Sequence, residues 1–180
     1  MARAHAASGV AAGLAVGLFS GDVATTLLCG GIGMLASFVP DLDHPRARVV
    51  RALGPLGWLL CRGVRALSRA FGLPAHRGLS HTVLLAVLVG VAAGVTASQW
   101  AVALSPWLCG GAASAGVAAA LAGDWITKQS LPHLWWPFVA ATDGPPAGLR
   151  VTTGRGVERW LIFPAVAATA VALVYVALTI

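Results

Sequence analysis

The chain has 180 residues, of which 58% are hydrophobic and only 10% charged, and it carries a formal net charge of +6. Charged residues make up about a quarter of an ordinary soluble domain, so a free-standing cytosolic enzyme is excluded. The apolar residues fall in runs approaching the roughly 20 residues that carry a helix across a bilayer, which predicts a single all-α membrane domain over residues 1–180. The expected architecture is a polytopic integral membrane bundle of about five transmembrane helices with short interfacial amphipathic helices.

In chain order, the first span is expected at residues 5–19 and the second at 23–39, joined by a Ser20-Gly21-Asp22 turn. Gly9, Gly13, Gly17 and Gly21 recur every fourth residue, a small-residue stripe that lets another helix approach closely. His5 continues that row and should point into the bundle. The first run is short for a bilayer. A cleaved signal sequence is the alternative reading of it, disfavoured by the interrupting glycines and the lack of an A-x-A site. Residues 40–80 form a cytoplasmic interfacial segment, of which 47–72 is too charged to cross. Pro55 breaks that stretch into two short helices. The second is amphipathic, with Arg62, Arg65 and Arg69 opposite Leu60, Val64, Leu67 and Phe71. It reads as a brace lying on lipid or as a lid over a site beneath it. The third span is expected at 81–97, the fourth at 104–126, and the fifth at 160–180 with a kink at Pro164. Between the last two, residues 128–158 form a cytoplasmic loop that holds an aromatic anchor at Trp135 and Trp136.

The twelve basic residues are segregated: Arg3 precedes the first run, seven arginines from Arg46 to Arg77 lie between the second and third, and Lys128, Arg150, Arg155 and Arg159 lie between the fourth and fifth. Five spans threaded with the N-terminus in the cytoplasm put all of them inside and leave Asp22 as the only charge in the opposite loops, a strong positive-inside signal. Topology therefore accounts for the basic balance, and the charge by itself does not argue for nucleic-acid binding. An added attraction to anionic lipid remains compatible with it.

With only six carboxylates and five histidines in the chain, their placement carries weight. Asp41, Asp43 and His44 lie in Pro40-Asp41-Leu42-Asp43-His44-Pro45, directly after the second span. His76 and His81 bracket His76-Arg77-Gly78-Leu79-Ser80-His81, directly before the third. Asp124 sits near the inner end of the fourth span and His5 at the inner end of the first, so all seven fall at one membrane face. Each has a bland reading taken alone: Asp-x-Asp-His as a cap and turn, His76 as a loop residue, Asp124 as a helix-end partner of Lys128, His5 as a packed ring. Together they point to a divalent-metal site with His5, Asp41, Asp43, His44, His76, His81 and Asp124 as candidate ligands. Mixed imidazole and carboxylate donors suit zinc first, then manganese or iron, as one or two ions. The matching chemistry is hydrolytic, with Asp41 or Asp43 as general base and Arg77 holding an anionic group such as phosphate. His133, among tryptophans and prolines, is a weaker candidate.

The succession of His5, the Pro40-to-Pro45 motif, His76-Arg77-Gly78-Leu79-Ser80-His81-Thr82, Asp124-x-x-Thr127, Trp136-Pro137-Phe138, Thr153-Gly154 and Glu158-Arg159 resembles the YdjM-like membrane-bound metal-dependent hydrolases. That family is also described as LexA-binding and inner-membrane associated. The resemblance covers nearly the whole chain. It implies a bacterial inner-membrane protein, regulation in the DNA-damage response for some members, and a hydrolase activity that is itself inferred for the family. Its motifs are distantly similar to those of zinc-dependent phospholipase C and related single-strand nucleases, which implies a phosphoester substrate, a lipid or nucleotide phosphate, handled at the cytoplasmic face. The chain departs from the family pattern at Ala120, where members commonly place a histidine, and at Ser130, where a glycine is usual. A single ion, or a site completed by His133, follows from the first departure. The competing reading is a non-catalytic inner-membrane protein whose structural metal site docks a protein partner. A transporter is disfavoured, because ionisable residues are absent from the middle of the spans.

Overall fold

The computed structural model describes residues 2–100, 104–139, 145–146, 150–152 and 161–179. All regular structure among them is helical, apart from one isolated parallel bridge between Thr127 and Val151. Helix α1 (Ala2–Gly17) ends in a 3-10 turn, Leu18–Ser20, that is closed by Gly21 at φ +65°. Asp22 then caps α2 (Val23–Ala36), its Oδ2 accepting from the Thr25 N–H at 2.7 Å. A 3-10 turn at Pro40–Asp43 follows. Two short helices come next, α3 (Arg48–Ala52) and α4 (Gly54–Ala70), hinged at Gly54 with φ +58°. After a further 3-10 turn, Leu79–His81, Thr82 caps α5 (Val83–Gln99) by accepting from the Leu85 N–H. Helix α6 (Pro106–Trp125) and helix α7 (Phe163–Thr179) complete the bundle.

Helix α6 is the hub: it packs against α1, α2 and α5, and α1 packs also against α7. Its buried side is built from small residues, Ala112, Ala113, Gly116 and Ala120 among them. By contrast α2 and α5 turn Leu28, Leu35, Leu88 and Val91 outward. Small residues inside and large apolar ones outside is the pattern of helices that pack in lipid, where close backbone approach rather than hydrophobic expulsion holds the interface.

The glycine stripe of α1 performs that role. A Cβ on Gly9 would stand 2.6 Å from the Gly33 carbonyl oxygen, one on Gly13 would collide with the Cys29 carbonyl, and one on Gly17 would lie 2.5 Å from the Thr26 Cα. Gly33 in turn faces Gly9 and Gly13, and Gly116 of α6 abuts the Gly33 carbonyl. Gly21, expected in the same row, touches nothing and serves the left-handed turn instead.

Among the described residues two helices have the length and composition to cross a bilayer: the continuous run Val23–Asp43, in which the 3-10 turn extends α2, and α6 at Pro106–Trp125. Helices α5 and α7 are apolar but shorter, at 17 residues each. Pro164, where a kink is expected, is the second residue of α7, and residues 161 and 162 just before it are wound as π-helix rather than α. The break at Pro55 is present, and α4 is more finely divided than two faces. A narrow stripe of Gly57, Cys61 and Ser68 is buried, while Leu56, Leu60, Leu67 and Phe71 form an exposed apolar strip and Arg62 and Arg69 are exposed on another side.

Gly33→Val is expected to destabilise the bundle by about 3 kcal/mol or more, because the branched side chain meets two backbones that cannot yield. Gly63→Ala, with open space around its Cβ, should instead raise stability by about 0.5–1 kcal/mol as a helix-interior glycine replacement. Thermal unfolding in detergent distinguishes the two, and equal midpoints would contradict the close-approach account.

Candidate functional site

Four separate stretches of chain meet at one end of the bundle. The N-terminal turn of α1 brings His5, the 3-10 turn after α2 brings Asp41 and Asp43, the loop between α4 and α5 brings His76, Arg77, Ser80 and His81, and the last turn of α6 brings Asp124. The loop following α6 adds Thr127 and Ser130.

Asp43 is fully buried and Asp124 nearly so. The Asp43 carboxylate lies 2.8 Å from His76 Nδ1 through Oδ1, and its Oδ2 accepts from the Arg77 backbone N–H at 2.8 Å and from the Ser80 hydroxyl at 2.5 Å. His81 bridges the two acids: Nδ1 lies 3.4 Å from Asp43 Oδ2, and Nε2 lies 3.3 Å from Asp124 Oδ2. On its other oxygen Asp124 meets Arg77 Nη2 at 3.4 Å and His5 Nε2 at 3.7 Å. Arg77 adopts a left-handed backbone, φ +58°, which directs its N–H to Asp43 while its guanidinium reaches the Ser130 carbonyl at 2.9 Å and the Thr127 hydroxyl at 3.3 Å.

Above this network lies a polar cavity of about 460 Å³. Asp41, His44, His76, Arg77, His81 and Asp124 line it, with Arg46, Arg48 and Arg51 also along its wall. The His44 ring stands 5.0 Å from that of His76.

The chemistry of the donor set suits a divalent ion. Donor atoms on one tetrahedral zinc stand roughly 3.3–3.6 Å apart when each is about 2.0–2.2 Å from the metal. His81 Nε2 and Asp124 Oδ2 are separated by 3.3 Å, and His5 Nε2 and Asp124 Oδ1 by 3.7 Å. Moreover His5 Nε2 is buried and has no hydrogen-bond partner, a costly state for a polar atom that a ligand would relieve. Among the described residues no three His, Cys, Asp or Glu side chains already form a cage; the donors are joined pairwise through hydrogen bonds and ion pairs.

All seven sequence-predicted ligands are at this end, but they divide. His5, Asp43, His76, His81 and Asp124 form the connected network, whereas Asp41 and His44 line the cavity without joining it. Asp124 is engaged with Arg77 and the two histidines rather than with Lys128, which is exposed. His133 is not among the residues lining the cavity. Thr153, Gly154, Glu158 and Arg159 lie outside the described residues. Three participants, Ser80, Thr127 and Ser130, lie outside the set of candidate ligands. Ser80 sits inside the His76-to-His81 motif and Thr127 inside Asp124-x-x-Thr127, so motif membership is their signal. Ser130, noted as standing where a glycine is usual, has φ +50°, the conformation a glycine adopts freely.

Burial by itself disfavours the His81 imidazolium, but hydrogen bonds to Asp124 and Asp43, reinforced by their charges, outweigh it and push its pKa up to about 9 from 6.5. His81 precedes α5, in the turn outside that helix. A histidine whose folded pKa is raised contributes stability that is complete below its unfolded pKa and is lost as pH rises through the folded one. With a chelator present, stability should therefore fall between about pH 6.5 and about pH 9. Asp124→Asn should flatten that decline; an unchanged slope in denaturation curves would remove His81 as its source.

Ser130→Gly should stabilise the fold by about 1 kcal/mol, by relieving the left-handed backbone of a residue with a Cβ. The thermal midpoint in detergent checks it.

No curated protein and no solved structure matches the chain. The family model described as YdjM inner membrane protein matches residues 1–180. With the motif end of the bundle assembled as above and a match over the whole length, the chain belongs to the YdjM inner membrane protein family.

Proposed function

We propose that the protein is a metal-dependent phosphoester hydrolase working at the cytoplasmic face of the inner membrane. The observation that carries the reading is the convergence of His5, Asp43, His76, His81 and Asp124 from remote parts of the chain onto one network, buried except at His76, beneath an arginine-bearing cavity. In this reading α1, α2, α5, α6 and α7 all cross the membrane with the N-terminus inside. The shorter helices end among head groups or sit in locally thinned lipid. The positive-inside distribution supports that orientation, since the arginine-bearing segments α3 and α4 adjoin the same end as the network.

His5, His81 and Asp124 would hold the ion, with His76 available through Nε2 because its Nδ1 is tied to Asp43. A bound divalent ion supplies a hydroxide nucleophile near neutral pH and Lewis-acid stabilisation of developing charge. Asp43, with both oxygens engaged, orients His76, Ser80 and the Arg77 backbone and so acts as a positioning residue. Asp41 lines the cavity and feels the charges of the network without a hydrogen bond to it, which suits it to take a proton as general base. Arg77 and the wall arginines attract the anionic ester.

A second reading, a structural site that docks a protein partner, has one observation in its favour. The two buried carboxylates are already compensated by imidazoles and Arg77, so the network can serve stability without turnover.

Purified protein is expected to retain close to stoichiometric zinc, manganese or iron, and to release phosphate or head group from a panel of lipid and nucleotide esters. Asp124→Asn and His81→Ala should lose the metal. Asp41→Asn should keep it and lose activity by about 10²–10⁴-fold, the range for a general base. Metal retained with no turnover across the panel favours the structural reading. Reporters placed at Ser20, Gln99 and Pro146 should mark Pro146 alone as cytoplasmic; Pro146 on the same side as Ser20 overturns the orientation.

A further inference from the structure

A second cavity, of about 280 Å³, opens beside the first. Ala4 and Ser8 of α1, Ala119 and Gly123 of α6, and Phe163 and Val166 of α7 form its walls, so it is an apolar crevice between three helices at the end that carries the network. Small residues keep it open. A Cβ built on Gly123 meets nothing within 4 Å, so the space is unfilled.

Two features tie this crevice to the chemistry. Asp124 lines both the crevice and the polar cavity, and His5, whose buried Nε2 lacks a partner, lines the crevice. A molecule reaching Asp124 through both openings must therefore be amphiphilic. Its apolar part would lie along α6 beside residues 119–126, about 10 Å of helix rise, and its anionic part would face Arg46, Arg48, Arg51 and Arg77.

We infer that the occupant is a glycerophospholipid with an exposed phosphate, whose acyl chain lies in the α1–α6–α7 crevice while its head group enters the arginine-bearing cavity. This rests on the proposed reading of the polar site and narrows its substrate to a membrane lipid rather than a soluble nucleotide. The charge complementarity is specific to one end of such a molecule: arginines meet the phosphate, and alanine, phenylalanine and valine meet the chain. The helices that bound the crevice are themselves apolar on their outward sides, with Leu161, Val171 and Tyr175 exposed along or just ahead of α7. A chain can then enter sideways without crossing water.

The test uses the full chain in phosphatidylcholine vesicles containing phosphatidic acid with a photoactivatable diazirine in one acyl chain. Labelling is expected on residues 119–123 and 163–166, competed by unlabelled long-chain phosphatidic acid at far lower concentration than by glycerol 1-phosphate, which shares only the head-group cavity. Ala119→Trp should reduce that labelling at least tenfold while leaving metal content and glycerol 1-phosphate binding unchanged. Val166→Trp provides the same blockage from α7 if the first variant does not fold. Labelling confined to outward residues such as Val87 and Val91, or unaltered by either tryptophan, overturns the inference. Hydrolysis of glycerol 1-phosphate with no dependence on acyl chains leaves the hydrolase reading intact and sinks the lipid assignment. Crevice labelling without turnover of any ester does the reverse.

Discussion

Two carboxylates, Asp43 and Asp124, are buried at one end of a bundle made almost wholly of apolar side chains. Removing an ion from water costs several kcal/mol even after relaxation, and removing only one partner of such a pair leaves an uncompensated charge. The chain around them is arranged to meet that demand. His81 stands between the two acids, and Arg77 touches both, one through its backbone N–H and the other through its guanidinium. Holding Arg77 at positive φ costs on the order of 1–3 kcal/mol, and charge-assisted hydrogen bonds at both ends offset it. An arrangement that tolerates strain to place one arginine against two acids is one in which their positions matter.

Glycine packing makes the distances possible. Because Gly33 lies against Gly9 and Gly13 on one side and Gly116 on the other, α1, α2 and α6 approach as bare backbones. That proximity is what allows His5, on the first turn of α1, to come within 3.7 Å of Asp124 on the last turn of α6. Tighter packing at one end and small residues at Ala119 and Gly123 leave space on the α7 side, which becomes the crevice. On α6, small residues thus close one interface, at Gly116, and leave the neighbouring one open, at Ala119 and Gly123.

Membership of the YdjM inner membrane protein family gives these features a setting, since His5, the Pro40-to-Pro45 turn, the His76-to-His81 loop and Asp124, all part of the resemblance, meet at this end of the bundle. Ala120 is fully buried one turn before Asp124 on α6. The polar side chain that this helix brings to the network is thus Asp124, with His5 and His81 both beside it.

The sequence alone determined the all-helical class, the apolar runs, the break before Pro55, the close-packing face of α1 and which histidines and carboxylates gather at one end. Those follow from local quantities: composition, period and turn chemistry act over a few residues and are written directly in the chain. Gly21 belongs to the turn expected there and not to the packing stripe as well, because a four-residue period does not reveal where a helix ends. Only the tertiary structure decided that Asp43 orients while Asp41 lines the cavity, that Asp124 faces Arg77 rather than Lys128, that Ser80, Thr127 and Ser130 belong to the network, and that a second, apolar opening reaches Asp124. Each of those depends on contacts between residues separated by tens of positions, whose energies are set by burial and relative orientation, and no pattern along the chain encodes either.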